Sequence, residues 1–303
     1  MQALILTGPR RASIEEVPAP DPAGGEVLVR VRACGLCASD LNAWHGVQGI
    51  EYPLEPGRPG HEVWGEVAAV GPGVDAVRIG QPVTGLMQCG LAEYAIGRVD
   101  ELVPIDRPVL GEPLGCAANV VRRARIRPGD RVACVGFGYL AALIAQMGLA
   151  EQDWIAISRR QDSLALAQEL GAEATYTFDS VPFHLWDSFP VVIEAAGVQQ
   201  TLDYATWLTA HGGRLVVAGY HADGQRSVNM QTWNWKGIDV INAHERDPTV
   251  CVRGLRSGLA AVKEHRLDID RLITHRWGLH QVTEGFTTLE TRPPGFIKGV
   301  VEL

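Results

Sequence analysis

The segment Gly136-Phe137-Gly138-Tyr139-Leu140-Ala141 constrains this chain more than any other stretch. It has the form G-x-G-x-x-A, follows the strand-like run Arg131–Val135 and opens the helix-like run Ala141–Leu149. The first glycine permits a tight turn, and the second lets the backbone approach a pyrophosphate. A small residue at the last position lets the helix pack close to the strand. The free N–H groups and positive dipole end of that helix then face the phosphates. A glycine-rich turn alone is a weak signal, but here the context is strand, turn, helix and a second strand at Trp154–Ile157. The alternative is a purely structural turn.

The surrounding pattern extends this unit. A second helix at Leu164–Leu170 is followed by strand-like runs at Val191–Glu194, Arg214–Ala218 and Asp239–Asn242. Strands alternating with helices of this length predict βαβ units and a doubly wound parallel α/β sheet. The first hundred residues differ. Short strands at Ala3–Leu6, Ser13–Val17, Val27–Ala33, Val63–Val70 and Tyr94–Ile96 are separated by turn-rich segments such as Pro18–Gly25 and Pro53–Gly60. That spacing predicts a compact β-rich, barrel-like unit. Phe296–Leu303 reads as a strand returning to it. The expected domains are residues 1–107, 108–265 and a C-terminal segment 266–303 that rejoins the first.

NAD sites place an acid at the end of the second strand, about twenty residues past the glycines, to accept hydrogen bonds from the ribose. Here Ser158-Arg159-Arg160 stands there. A carboxylate would repel a 2′-phosphate, whereas a hydroxyl and guanidinium groups favour it. NADP is therefore expected over NAD, against the alternative that both arginines are merely solvated.

A second constellation lies in the first unit. Cys37 is followed 24 residues later by His61, beside Glu62, and Cys116 comes 55 residues after His61. Thiolate, imidazole and a third thiolate or carboxylate leave one zinc position open, as catalytic zinc requires. Each has a plainer reading. Cys34-x-x-Cys37 could be a redox pair, and Cys116 a buried helix cysteine.

The ordered segments GLCASDLNAWHG, PGRPGHEVWGEVAAVG, LAEYA, EPLGCAANVVRRARIRPGDRV, VGFGYLA, VVIEAAG and GGRLVVAG resemble the medium-chain dehydrogenase/reductase family, in its zinc-dependent alcohol and polyol dehydrogenase branch. The resemblance spans nearly the whole chain. It implies a GroES-like catalytic domain beside a Rossmann domain, and hydride transfer between NAD(P) and the CH–OH or C=O group of an alcohol, polyol or ketone. It implies one zinc held by Cys37, His61 and Cys116, with Glu62 beside the metal or exchanging as a ligand. Glu112, in a Glu-Pro pair, competes with Cys116 for the third place. Asp40 is expected to orient His61, and Lys298 to pair with Glu62. Gly136, Gly138, Tyr139, Leu140, Ala141, Ser158, Arg159, Arg160, Ala195, Gly219, Ala243 and His244 are expected at the cofactor. Trp44 and Leu86 are candidate pocket walls.

The chain departs from the family pattern twice. Cys89 stands alone where relatives with a structural zinc carry four clustered cysteines, so a second zinc is not expected. Asn42 occupies the position of a proton-relaying histidine, with His45 three residues on. Ser39 is expected to take the substrate proton and pass it, through the ribose, Asn42 or water, toward His45. The alternatives are a zinc-free quinone or enoyl reductase and a non-catalytic NADPH-binding relative.

Composition narrows the partners. Lys plus Arg number 27 against 35 Asp plus Glu, for a formal charge of −8. That balance disfavours nucleic acid and acidic membranes, both of which call for basic patches. No apolar run approaches the roughly 20 residues of a membrane span, and the start lacks the order of a signal peptide. Six scattered cysteines suggest buried thiols or metal ligands without disulfides. A cytoplasmic enzyme acting on a small molecule is expected, as a homodimer or homotetramer by resemblance.

Overall fold

A computed structural model of the protein describes every residue of the chain except Asp223. In chain order come β1 (Gln2–Gly8), β2 (Arg11–Glu16), β3 (Glu26–Gly35), α1 (Leu41–His45), β4 (Glu62–Val70), β5 (Pro82–Met87), β6 (Tyr94–Pro104) and α2 (Gly111–Ala124). Then follow β7 (Val132–Val135), α3 (Tyr139–Gly148), β8 (Trp154–Ile157), α4 (Gln161–Glu169), β9 (Ala174–Tyr176), β10 (Phe189–Glu194), α5 (Gln199–Leu208) and β11 (Thr209–Val217). The chain ends with α6 (Met230–Lys236), β12 (Asp239–Asn242), α7 (Pro248–Lys263), β13 (Ile273–Gly278), α8 (Val282–Thr291) and β14 (Lys298–Glu302). Two compact units result. One comprises residues 1–115, 247–259 and 270–303, the other 116–246 and 260–269. Among the described residues, no helix is long and apolar enough to cross a membrane.

The first unit is β-rich. Its sheet runs β13-β14-β3-β4-β5-β6, and an added β3–β6 pairing closes the last four strands on themselves. Alternation along β3 explains the inside. Val27, Val29 and Val31 are buried while Arg30 and Arg32 point away. Burying each valine contributes about 1.5–3 kcal/mol. β14 pairs antiparallel with β3, setting Val300 opposite Gly35 and Val301 opposite Cys34. This pairing brings the C-terminal Lys298 beside the end of β3, which matters for the site below.

The second unit is a parallel sheet in the order β12-β11-β10-β7-β8-β9. β7 and β8 are buried along their full length, which suits strands covered on both faces and accounts for their unbroken apolar sequences. The order reverses between β7 and β10, the topological switch point at which such sheets bind ligands. The expected α/β class, a doubly wound parallel sheet with a β-rich unit, is the one found. Several helices escaped the sequence reading, α5, α7 and α8 among them. α2 also starts three residues before the expected Leu114, since Pro113 is tolerated in a first turn.

Candidate functional site

β3 ends at Gly35, and the chain turns through Cys37 into a short 3-10 turn, Ala38–Asp40, that leads to α1. Asp40 is buried, and its Oδ2 accepts the Cys37 amide at 2.8 Å. Its Oδ1 stands 3.0 Å from His61 Nδ1, which also lies 3.1 Å from the Pro59 carbonyl oxygen. With Nδ1 so engaged, Nε2 is the ring atom left to bind a metal. Ser39 Oγ donates to Cys37 Sγ at 3.2 Å. Burial alone would push the His61 ring down, but the Asp40 carboxylate and the Cys37 sulfur outweigh it and raise it far above its ordinary range. This is the negative surrounding a divalent cation would meet.

Glu62 opens β4 and is buried to 2 % exposure. Lys298 Nζ, also buried, donates to Glu62 Oε1 at 2.6 Å and to the Leu36 carbonyl at 2.9 Å. Glu62 Oε2 lies 2.5 Å from the same ammonium, an ion pair in which this buried oxygen accepts no hydrogen bond. Among the described residues, the ligand atoms that converge are those of Cys37, His61 and Glu62, all within 4.8 Å of one another. Two ligands of one tetrahedral zinc stand roughly 3.3–3.8 Å apart. A thiol, an imidazole nitrogen and a carboxylate oxygen converging in this way are a donor set that zinc takes, with a modest closing of the three. Glu112 and Cys116 are not in that group; Glu112 lies in the first turn of α2, and Cys116 belongs to the other unit.

Other expected residues of this unit have different surroundings. Cys34 is fully buried, and desolvation pushes its thiol far up, which does not suit a redox partner for Cys37. His45 is exposed at the last turn of α1, with Nε2 3.1 Å from Glu290 Oε1, a carboxylate that also pairs with Arg10. The relay expected of His45 gains no support from this placement, because the ring belongs to a surface ion cluster. Asn42 lends its carbonyl to Gly46 and Val47, ending the helix. Trp44, expected at a pocket wall, stacks on Phe286 at 5.0 Å inside the core.

Two supporting residues were missed from sequence. Thr84 Oγ1 donates to the Val63 carbonyl at 2.7 Å and accepts the Gly111 amide at 3.0 Å, tying the start of α2 to the strand that carries Glu62. Gly35 makes room for Glu62, since a Cβ there would come within 2.2 Å of Glu62 Oε2. Neither residue type carries a signal on its own.

In the second unit the expected cofactor residues share one edge. Gly136 follows β7, Ser158 follows β8, Ala195 follows β10, Gly219 lies just past β11 and Ala243 follows β12. All stand at the carboxyl ends of parallel strands, on either side of the switch point. Gly136 has φ +85°, open to glycine at little cost. Gly138 caps α3, and a Cβ there would meet nothing within 4 Å, which leaves the space above the helix N-terminus clear for a phosphate. Tyr139, Leu140 and Ala141 form the first turn of α3. Ser158 is buried. Arg160 turns back onto α4, donating to Ser163 Oγ at 2.8 Å with Asp162 3.6 Å away, whereas Arg159 is exposed. His244 is exposed beyond β12.

Comparison with known proteins agrees with both halves. The family model for the alcohol dehydrogenase GroES-like domain matches residues 23–124, and that for zinc-binding dehydrogenase matches residues 136–254. D-altritol 5-dehydrogenase of Agrobacterium fabrum is 26% identical, over 97% of this chain and 97% of that protein. 2-dehydro-3-deoxy-L-galactonate 5-dehydrogenase of Pseudoalteromonas atlantica is 23% identical over 100% of this chain and 98% of that protein. A zinc-binding dehydrogenase of Sinorhizobium meliloti, solved bound to NADP, superimposes with a TM-score of 0.86 at 25% identity, covering 100% of this chain and 99% of that one. With two family models matched in order, and a buried Asp40 against the half-buried His61 beside Cys37 and Glu62, the chain belongs to the zinc-dependent alcohol dehydrogenase branch of the medium-chain dehydrogenase/reductases, NAD(P)-dependent enzymes acting on CH–OH groups.

Proposed function

We propose that this enzyme oxidises a secondary alcohol of a polyol-like substrate, or reduces the matching ketone. One zinc would be held by Cys37 and His61 with a third ligand drawn from Glu62, Cys116 or Glu112, and NADP would be favoured over NAD. The observation that carries the reading is the convergence of Cys37, His61 and Glu62 around a ring already oriented by Asp40. When bound, zinc supplies Lewis-acid polarisation of the substrate oxygen, and the dinucleotide supplies hydride chemistry.

The chain's own residues do the rest. Asp40 holds the His61 tautomer and, through the Cys37 amide, the turn that presents the thiolate. Lys298 neutralises Glu62 and holds it beside that pair. Ser39, whose hydroxyl rests on Cys37 Sγ, takes the substrate proton and passes it to water. His45, engaged by Glu290, is left out of that route. Ser158 and Arg159 are the groups for a 2′-phosphate, with Arg160 committed to α4. The polyol-like substrate is suggested by the names of the relatives. A single zinc without the four-cysteine lobe, a homodimer or homotetramer and a cytoplasmic address complete the proposal.

Turnover of a panel of polyols and ketones with both dinucleotide pairs tests it. Activity should vanish on chelation and return with zinc. Turnover that survives both chelation and Cys37→Ser contradicts the reading in favour of zinc-free reduction.

A further inference from the structure

Glu194, the last residue of β10, is fully buried and heavily used. Its Oε1 accepts the amides of Ala196 at 2.8 Å and Gly197 at 2.7 Å, and the Thr201 hydroxyl at 2.6 Å. Its Oε2 lies 3.1 Å from His221 Nε2. His221 stands in the segment after β11, and its Nδ1 accepts Arg226 Nε at 2.9 Å. Since guanidinium N–H can only donate, the His221 proton sits on Nε2 and is given to Glu194. Arg226 also donates to the Gly197 carbonyl at 2.7 Å, so the chain closes on the turn where it began.

Close backbone approach surrounds this ring of contacts. A Cβ on Gly136 would stand 2.5 Å from Ala196 Cβ, and one on Gly219 would stand 2.3 Å from the Gly197 amide nitrogen. Any shift of residues 195–197 is therefore felt at the Gly136 turn and at the end of β11. In a sheet of this order, the adenosine half of a dinucleotide lies past the switch point toward β8. The other half then falls over the ends of β10 and β11, where Arg226, His221 and Glu194 are joined.

We propose that His221 and Arg226 are positioning residues for the nicotinamide half of the dinucleotide, acting through Glu194 on the turn Ala195–Gly197. The inference rests on the reading that the Gly136–Ala141 turn binds a dinucleotide. The arrangement holds three loops in one conformation before ligand arrives, and such preorganisation strengthens binding by lowering the ordering cost. Its effect is largest on the half of the ligand that touches those loops.

Binding of NADPH, NADH and ADP to wild type, His221→Ala, His221→Gln and Arg226→Lys tests this by calorimetry, with thermal melts alongside. ADP carries the adenosine and pyrophosphate but no nicotinamide. The Ala and Lys variants should weaken whichever dinucleotide the wild type binds by about tenfold, the scale of losing a hydrogen bond to a charged group. ADP binding should stay within about twofold, and His221→Gln, which can still donate and accept, should recover part of the loss. Equal weakening of ADP and dinucleotide, or no weakening at all, overturns the proposal. Should His221→Ala fail to fold, Arg226→Lys carries the same comparison. A wild type that binds ADP but neither dinucleotide refutes the underlying reading instead, and is visible before any variant is made.

Discussion

Asp40 Oδ1 stands 3.0 Å from His61 Nδ1 while Asp40 Oδ2 holds the Cys37 amide, so one buried carboxylate sets both an imidazole and the turn that carries the Cys37 sulfur. Asp40→Asn keeps the shape but removes the charge. Loss of such an outer partner typically costs about 10–100-fold in metal affinity. Competition with a chelator should show a weakening of that size in Asp40→Asn, and unchanged affinity would mean that Asp40 serves only the fold.

Lys298 and Glu62 are buried together, and neither has water to fall back on. Removing one partner of a buried pair costs about 3–5 kcal/mol, because the other charge is left uncompensated. Lys298→Met should therefore lower the urea midpoint sharply, and adding Glu62→Gln should recover much of it. A single variant as stable as wild type would place the pair within reach of solvent.

The Gly136 turn and the class of fold were legible in the sequence because each rests on local spacing. Gly136-x-Gly138 between strand and helix needs no long-range contact to be read, and Ser158 follows from the length of one βαβ unit. The β-rich unit was legible as alternation in β3. Thr84, Gly35, His221 and Arg226 were not. Each acts through a partner many residues away, such as Thr84 through Val63 and Gly111, and pattern alone does not pair them. The surroundings of His45 were not legible for the same reason. Its spacing from Asn42 was local, but Glu290 reaches it from α8.

Arg159 and Arg160 are adjacent but differ in their surroundings, since Arg160 is held by Ser163 and Asp162. Arg159→Ala should weaken NADPH more than NADH, while Arg160→Ala should change the ratio little. Ser158→Asp should shift preference toward NADH by adding the acid that repels a 2′-phosphate. Titration of both reduced dinucleotides checks all three, and a wild type that prefers NADH contradicts the assignment.

Cys134 lies in the middle of the parallel sheet, where burial pushes its thiol up to about 12, and Cys34 is shifted in the same direction. An unfolded chain releases these protons near pH 8.5. Above that value the folded state binds more protons than the unfolded one, so stability must fall as pH rises toward the folded value. The slope reaches about 1.4 kcal/mol per pH unit for each group. Urea melts from pH 8 to 10.5 should show this decline, and Cys134→Ala should flatten it. Equal slopes in both proteins would mean that other groups govern alkaline unfolding.

Zinc content measured by elemental analysis after metal-replete purification tests the central claim most directly. The wild type should carry one zinc per chain, and Cys37→Ser and His61→Ala should each lose it while remaining folded by circular dichroism. Two zincs per chain, none, or one that survives both substitutions would contradict the account.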